Sequence, residues 1–224
     1  MRIMSVTPAP VEVSGSHPVY FDDLGHAADY AAPHDLAVHF ARRDFPQVST
    51  RPITLHYGRH KSEAIGSFQI AIADGAICRI MPDHETGGAC DLRVRWPGAI
   101  LVEDCAVTAD YAACIDAYWR GASQGLGNMP VYLAGTDFQL AIWHALLQIP
   151  MGACVSYAAV ARWVGGPGAA RAVGRAVGAN PVALLIPCHR VVKSGGRPGN
   201  YAWGAARKKD LLAAEAALAR AYSF

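Results

Sequence analysis

Several features that would mark a membrane, secreted or metal-dependent protein are missing from this chain. No run of about 18 uncharged apolar residues occurs, so no bilayer span is expected. The opening MRIMSVTPAPVEV has no basic segment leading into an apolar one, so a secretory leader is not expected either. Six cysteines are present (Cys78, Cys90, Cys105, Cys114, Cys154 and Cys188), but no C-x-x-C pair and no zinc-ribbon spacing occurs among them. His17, His26, His34 and His39 follow no regular spacing, so neither a metal site nor a cofactor is expected. These absences predict a cytoplasmic protein with free thiols, most of them structural.

Charge is also scarce, at 17% of residues, while 52% are hydrophobic, ample for a packed core and against global disorder. At 224 residues the chain has room for one large or two small domains. The net charge of +2 hides an asymmetry. From Met151 onward ten Lys/Arg face two acids, leaving ten bases against sixteen acids in the first 150 residues. A basic C-terminal region is suited to a polyanion such as nucleic acid, although a solvated basic surface has the same composition.

Periodicity divides the chain further. Residues 1–50 carry little pattern beyond a short helix over Ala31–Phe45, interrupted by Pro33, and form an N-terminal extension of unknown role. Ile53–Tyr57, Gly66–Ala73 and Ala76–Met81 read as strands, with Asp74-Gly75 a two-residue hairpin turn. A helix is predicted over Asp104–Ala122 and a small α/β domain over 51–130. Residues 131–224 then read as mainly helical. Thr136 or Asp137 begins a helix running to Leu147, Ser156 caps Tyr157–Val164, and a third helix covers Ala169–Gly178. The last two, joined through Gly165-Gly166-Pro167-Gly168, predict a helix-turn-helix. Its second member is almost bare of side chains apart from Arg171 and Arg175. That suits close approach to a groove, or equally close helix packing.

Residues 187–192 read Pro-Cys-His-Arg-Val-Val, entered from the apolar run Val182–Ile186. The pattern predicts a cysteine at the end of a buried strand. A thiol of pKa about 8.5 needs a nearby base or positive charge to become a nucleophile, and His189 and Arg190 are candidates to supply one. The alternative is a cysteine serving as a small buried hydrophobe.

Taken together, residues 135–215 resemble the O6-alkylguanine-DNA alkyltransferase family, above all the C-terminal half of its bacterial adaptive-response member. The matching pieces are Val155-Ser156-Tyr157, Ala169–Gly174, Ala179-Asn180-Pro181, Ile186–Val192, Gly199-Asn200-Tyr201 and Trp203-Gly204. The resemblance implies a ribonuclease-H-like α/β roll followed by a mainly helical DNA-binding alkyltransferase domain. It implies direct alkyl transfer from O6-methylguanine in double-stranded DNA to Cys188, once per molecule, by a monomer without cofactor. By position, His189 would be the base acting through a water, Glu215 its orienter, and Asn180 the fixer of the turn before the cysteine. Tyr157, Arg171, Gly174 and Tyr201 would contact the DNA or the flipped base. Trp203 stands where some members carry glycine and would narrow the pocket towards small alkyl groups. For Glu215 the residues alone favour a solvated helix face, since Lys208 and Leu212 equally orient that helix. A lesion sensor that binds without repairing and a Cys-His hydrolase are the competing functions.

Overall fold

The computed structural model describes residues 52–83, 88–122, 126 and 129–222, together with the backbone of two strands at 19–21 and 38–42. By packing, the chain forms two compact units, each assembled from separate stretches: 34–141 with 179–186, and 1–33 with 142–178 and 187–224.

The first unit is built on a six-stranded sheet. Its strands are β2 (Val38–Arg42), β3 (Thr54–Ser62), β4 (Gly66–Ala73), β5 (Ala76–Pro82), β6 (Ile100–Glu103) and β7 (Val131–Gly135), in the order β2-β7-β5-β4-β3-β6. The hairpin stands where Asp-Gly predicts it. Asp74 and Gly75 take φ of 47° and 77°, both in the left-handed region that a two-residue turn demands. Helix α1 (Gly88–Arg95) precedes β6, and α2 (Cys105–Trp119) follows it and packs on β3. The Asp104 carboxylate caps α2, accepting from the N–H groups of Ala106 and Val107. Thr108, Ala112 and Ile115 form its buried stripe.

The second unit holds a three-stranded parallel sheet in the order β1-β8-β9, formed by β1 (Val19–Phe21), β8 (Ala153–Ser156) and β9 (Val191–Val192). Around it run α4 (Tyr157–Trp163), α5 (Ala170–Gly178) and α6 (Ala205–Tyr222), while α3 (Asp137–Leu146) carries the chain from the one unit into the other. The Ser156 hydroxyl accepts from Ala159 N–H at 3.0 Å and starts α4 as its capping chemistry predicts. No helix among the described residues is long and apolar enough to cross a membrane.

Two expectations are corrected. Residues 38–42, read as part of a helix, form β2, paired in parallel with β7 from Val38↔Val131 to Arg42↔Gly135. The β-branched and aromatic residues there take a strand once a neighbouring strand offers hydrogen bonds. The remainder of 31–45, and the side chains of the four early histidines, lie outside the described residues. The run Val182–Ile186 is buried as expected but is no strand. It makes one bridge, Val182 to Ile80, and then turns, with Leu184 at φ 77°. Prolines 181 and 187 flank it, and a segment bounded by residues without an N–H cannot continue a ladder.

Candidate active site

Cys188 opens a single turn of 3-10 helix, Cys188–Arg190, all three of whose side chains are buried. The segment leading into it is set by Asn180. Its amide nitrogen donates to Ile186 O at 2.8 Å and its carbonyl oxygen accepts from Val182 N–H at 3.1 Å, so one side chain ties both ends of the turn. Leaving either backbone group unpaired in a buried site costs about 1–3 kcal/mol. The following residues pair as β9 with Val155-Ser156 of β8, directly ahead of Tyr157.

Helix α6 supplies the other half of the site. Lys208, Leu211, Leu212, Glu215 and Ala216 are all buried, an i, i+3, i+4, i+7, i+8 stripe. Two of its five members are charged, and both are fully buried at 0% exposure. Ions are almost never found so deep without partners, and these have them. Glu215 Oε1 lies 3.0 Å from His189 Nε2, within hydrogen-bond reach of the imidazole. Arg190 grips the same carboxylate, its Nε at 2.9 Å from Oε2 and its Nη2 at 2.6 Å from Oε1. The remaining nitrogen, Nη1, donates to Ile149 O at 2.5 Å. Lys208 Nζ donates to Val191 O at 2.6 Å and stands 5.9 Å from the ring centroids of both Tyr157 and Tyr201, within cation–π reach.

The electrostatics follow from burial first and partners second. Burial pushes the Glu215 carboxyl up, but the charges of Arg190 and His189 and their hydrogen bonds overturn this and hold it well below the usual carboxylate range. Burial drives His189 down. The Glu215 charge opposes that, Arg190 and Lys208 reinforce it, and the imidazole is neutral near pH 7. Lys208 is lowered by burial, and negative charge at Cys188 acts in the opposite direction. The Tyr201 hydroxyl is raised well above its ordinary value, chiefly by burial and then by the Cys188 charge. Cys154 and Cys78 are each pushed up to about 12 by burial and behave as apolar fillers, as most cysteines of this chain were expected to.

Tyr157 occupies a slot shaped by two glycines. A Cβ on Gly174 would stand 3.8 Å from its ring, an ordinary contact, whereas one on Gly199 would stand 2.5 Å from its hydroxyl oxygen. Tyr201 meets the His189 ring edge-on at 6.5 Å and Trp203 at 6.4 Å. Thus Cys188, His189, Glu215, Tyr157, Gly174 and Tyr201 belong to one compact unit. Asn180 fixes the approach to the cysteine, while Arg171 stands exposed on the first turn of α5. Sequence reasoning missed three members. Arg190, expected to supply positive charge to the thiol, instead clamps Glu215. Lys208, weighed only as a residue orienting a helix face, is buried over two tyrosines; its spacing of seven from Glu215 was the available signal. Gly199 was noted within a motif but given no role.

Comparison with known proteins bears on the family. Residues 137–217 match the family described as 6-O-methylguanine DNA methyltransferase, DNA binding domain. The inducible methylated-DNA–protein-cysteine methyltransferase of Bacillus subtilis is 45% identical over 54% of this chain and 66% of its own length. The bifunctional transcriptional activator/DNA repair enzyme Ada of Escherichia coli is 48% identical over 75% of this chain and 50% of its own. The chain therefore spans between half and two thirds of these curated relatives. Among solved structures, the O6-methylguanine methyltransferase of Mycobacterium tuberculosis superposes with a TM-score of 0.60 at 34% identity, over 73% of this chain and 93% of that one. OGT of the same organism in complex with DNA gives the same score and identity. A mixed α/β fold shared at that identity over nearly the whole of a solved relative settles descent: the chain belongs to the methylated-DNA–protein-cysteine methyltransferase family.

Proposed function

We propose that this protein repairs DNA by taking the alkyl group of O6-methylguanine irreversibly onto Cys188, each molecule acting once. The observation that carries this is the fully buried contact of His189 with Glu215, on the residue next to a buried cysteine. It is a nucleophile–base–orienter relay. The Cys188 thiol proton passes through a water to His189. The sulfur then forms a bond to the methyl carbon as the carbon–O6 bond breaks, and its electron pair leaves on the guanine, which takes up a proton. The thioether has no easy route back to thiolate, so the protein is consumed.

In this reading α4, the glycine-rich turn and α5 act as a helix-turn-helix, and residues 131–224 are the DNA-binding alkyltransferase region. Residues 51–130 form a ribonuclease-H-like roll, and 1–50 are an extension that adds a strand to each sheet. The bare surface of α5 enters the minor groove of double-stranded DNA and Arg171 fills the gap left by the extruded nucleotide. Tyr157 and Tyr201 receive the base, and Trp203 narrows the pocket towards small alkyl groups. The reading also places the protein in the cytoplasm as a monomer.

Intact mass after incubation with a duplex containing O6-methylguanine, followed by peptide mapping, tests the proposal. A gain of one methylene on the Cys188 peptide is expected. Lesion-specific binding with no change in mass would sink repair in favour of a sensor, and multiple turnover on an ester would indicate a hydrolase. A finer test uses Gly199→Ala. The added methyl collides with the Tyr157 hydroxyl and displaces the ring, and displacement of about 1 Å in a positioning group costs on the order of 10²-fold in rate. Single-turnover methyl transfer should slow by that order while the protein remains folded.

A further inference from the structure

Glu215 serves two partners, a neutral imidazole and a guanidinium, from one carboxylate. His189 and Arg190 Nη2 both reach Oε1, while Arg190 Nε reaches Oε2 at 2.9 Å and Oε1 at 3.1 Å. The guanidinium thus spans both oxygens in the fork geometry that arginine matches best, and its third nitrogen is anchored on the backbone at Ile149. At 1% exposure its charge is shielded from bulk solvent.

From this geometry we infer that Arg190 is a positioning residue for transfer: by neutralising Glu215 it sets the resting protonation state of His189. The inference rests on the repair reading for its consequence. A base must be unprotonated to take the thiol proton. A buried carboxylate facing only a histidine would stabilise the imidazolium, leaving no acceptor. Here the carboxylate is already matched by a permanent cation, so it accepts from His189 Nε2–H and holds the ring without drawing a second proton onto Nδ1, the nitrogen that takes the thiol proton.

The other groups around His189 do not reverse this. On its own turn stand Cys188 and Arg190. Across it, α6 presents Glu215 and Lys208, and the loop leading into α6 presents Tyr201, whose phenol stays neutral. Tyr157 of α4 faces Cys188 and is likewise held protonated by burial and then by the thiol's charge. Glu215 is the single anion within the set apart from the thiolate itself, and Arg190 is its direct partner.

Transfer rate against pH, measured in single turnover on a duplex containing O6-methylguanine, tests the role. In Arg190→Met the acid limb should move to higher pH by about 1–3 units, the reach of one close charge. Arg190→Lys keeps the charge and should keep the limb in place while costing rate. In Arg190→Met/Glu215→Gln, which removes both charges, the limb should return towards its wild-type position. A uniform slowing of Arg190→Met at every pH, with no movement of the limb, overturns the inference and leaves a packing role.

Because a lone buried carboxylate can prevent folding, nitrogen NMR of the wild-type protein supplies an independent arm. The His189 ring should report a neutral tautomer throughout pH ~6–8, where an unperturbed histidine titrates. An imidazolium signature at neutral pH overturns the inference. Failure of the wild type to methylate Cys188 would instead strike the repair reading and leave the NMR result standing.

Discussion

Replacing Cys188 with alanine is expected to abolish the proposed alkyl transfer outright while leaving binding to the lesion intact. No other group described in the site can form a thioether. Cys154, the second buried thiol of the same unit, is pushed up to about 12, packs with Val192 and Leu212, and remains a thiol at any working pH. The contrast defines the measurement. Intact mass should stay constant for Cys188→Ala after incubation with methylated duplex, and should rise by one methylene for Cys154→Ala as for the wild type. Band-shift assays on the same samples should find lesion binding in all three. Methylation of Cys188→Ala at another cysteine would require a different nucleophile and a different site.

The second large effect is on stability. Glu215→Ala leaves Arg190 buried without its anion, a change that costs about 3–5 kcal/mol. Against a typical margin of about 5–15 kcal/mol this is enough to unfold much of the protein at elevated temperature. Denaturant midpoints at neutral pH check it, and Arg190→Met/Glu215→Leu should be far milder than either single change, because neither charge is then stranded. The same site fixes an acid sensitivity. Glu215 is held below its ordinary 4.5, so its contribution is complete above that value and is lost as pH falls through the depressed folded value. His189 acts earlier and in the same sense. Its folded value lies below 6.5, so as pH drops through 6.5 the unfolded chain takes a proton that the folded site refuses, and stability declines from there. Wild-type stability should therefore begin to fall below about pH 6.5 and fall further once carboxylates titrate. A flat profile down to pH 5 would contradict the buried neutral histidine.

Much of this was legible along the chain because the signals were local. Asp74-Gly75, the Asp104 and Ser156 caps and the stripe on the 105–119 helix each announce themselves within a few residues. What escaped was non-local. Ala153–Ser156 is a short run with no alternation, and becomes a strand only because Val19–Phe21 and Val191–Val192 lie on either side of it. Val131–Gly135 was read past for the same reason, its partner being residues 38–42. Val182–Ile186 failed in the opposite direction, since its apolar content signalled burial correctly and extension wrongly. In the site, motif residues were found by resemblance, whereas Lys208 and the clamp role of Arg190 depend on which face of α6 turns inward. One buried charge on that helix is ambiguous in sequence. Two charges seven apart, interleaved with Leu211 and Leu212, define a polar seam within an apolar face.

The parallel sheet β1-β8-β9 has a consequence for how the protein is made. Its strands come from three distant parts of the chain, and the carboxylate that serves the histidine comes later still. Pairings of that separation must overcome loop-closure entropy before they yield any stabilisation, which slows folding. During translation the first strand emerges with neither of its sheet partners synthesised. The cysteine likewise leaves the ribosome before its acid does. On the proposed mechanism a nascent chain would therefore carry Cys188 as an ordinary thiol, and repair competence would arrive only after Glu215 had been added and α6 had folded back over the turn.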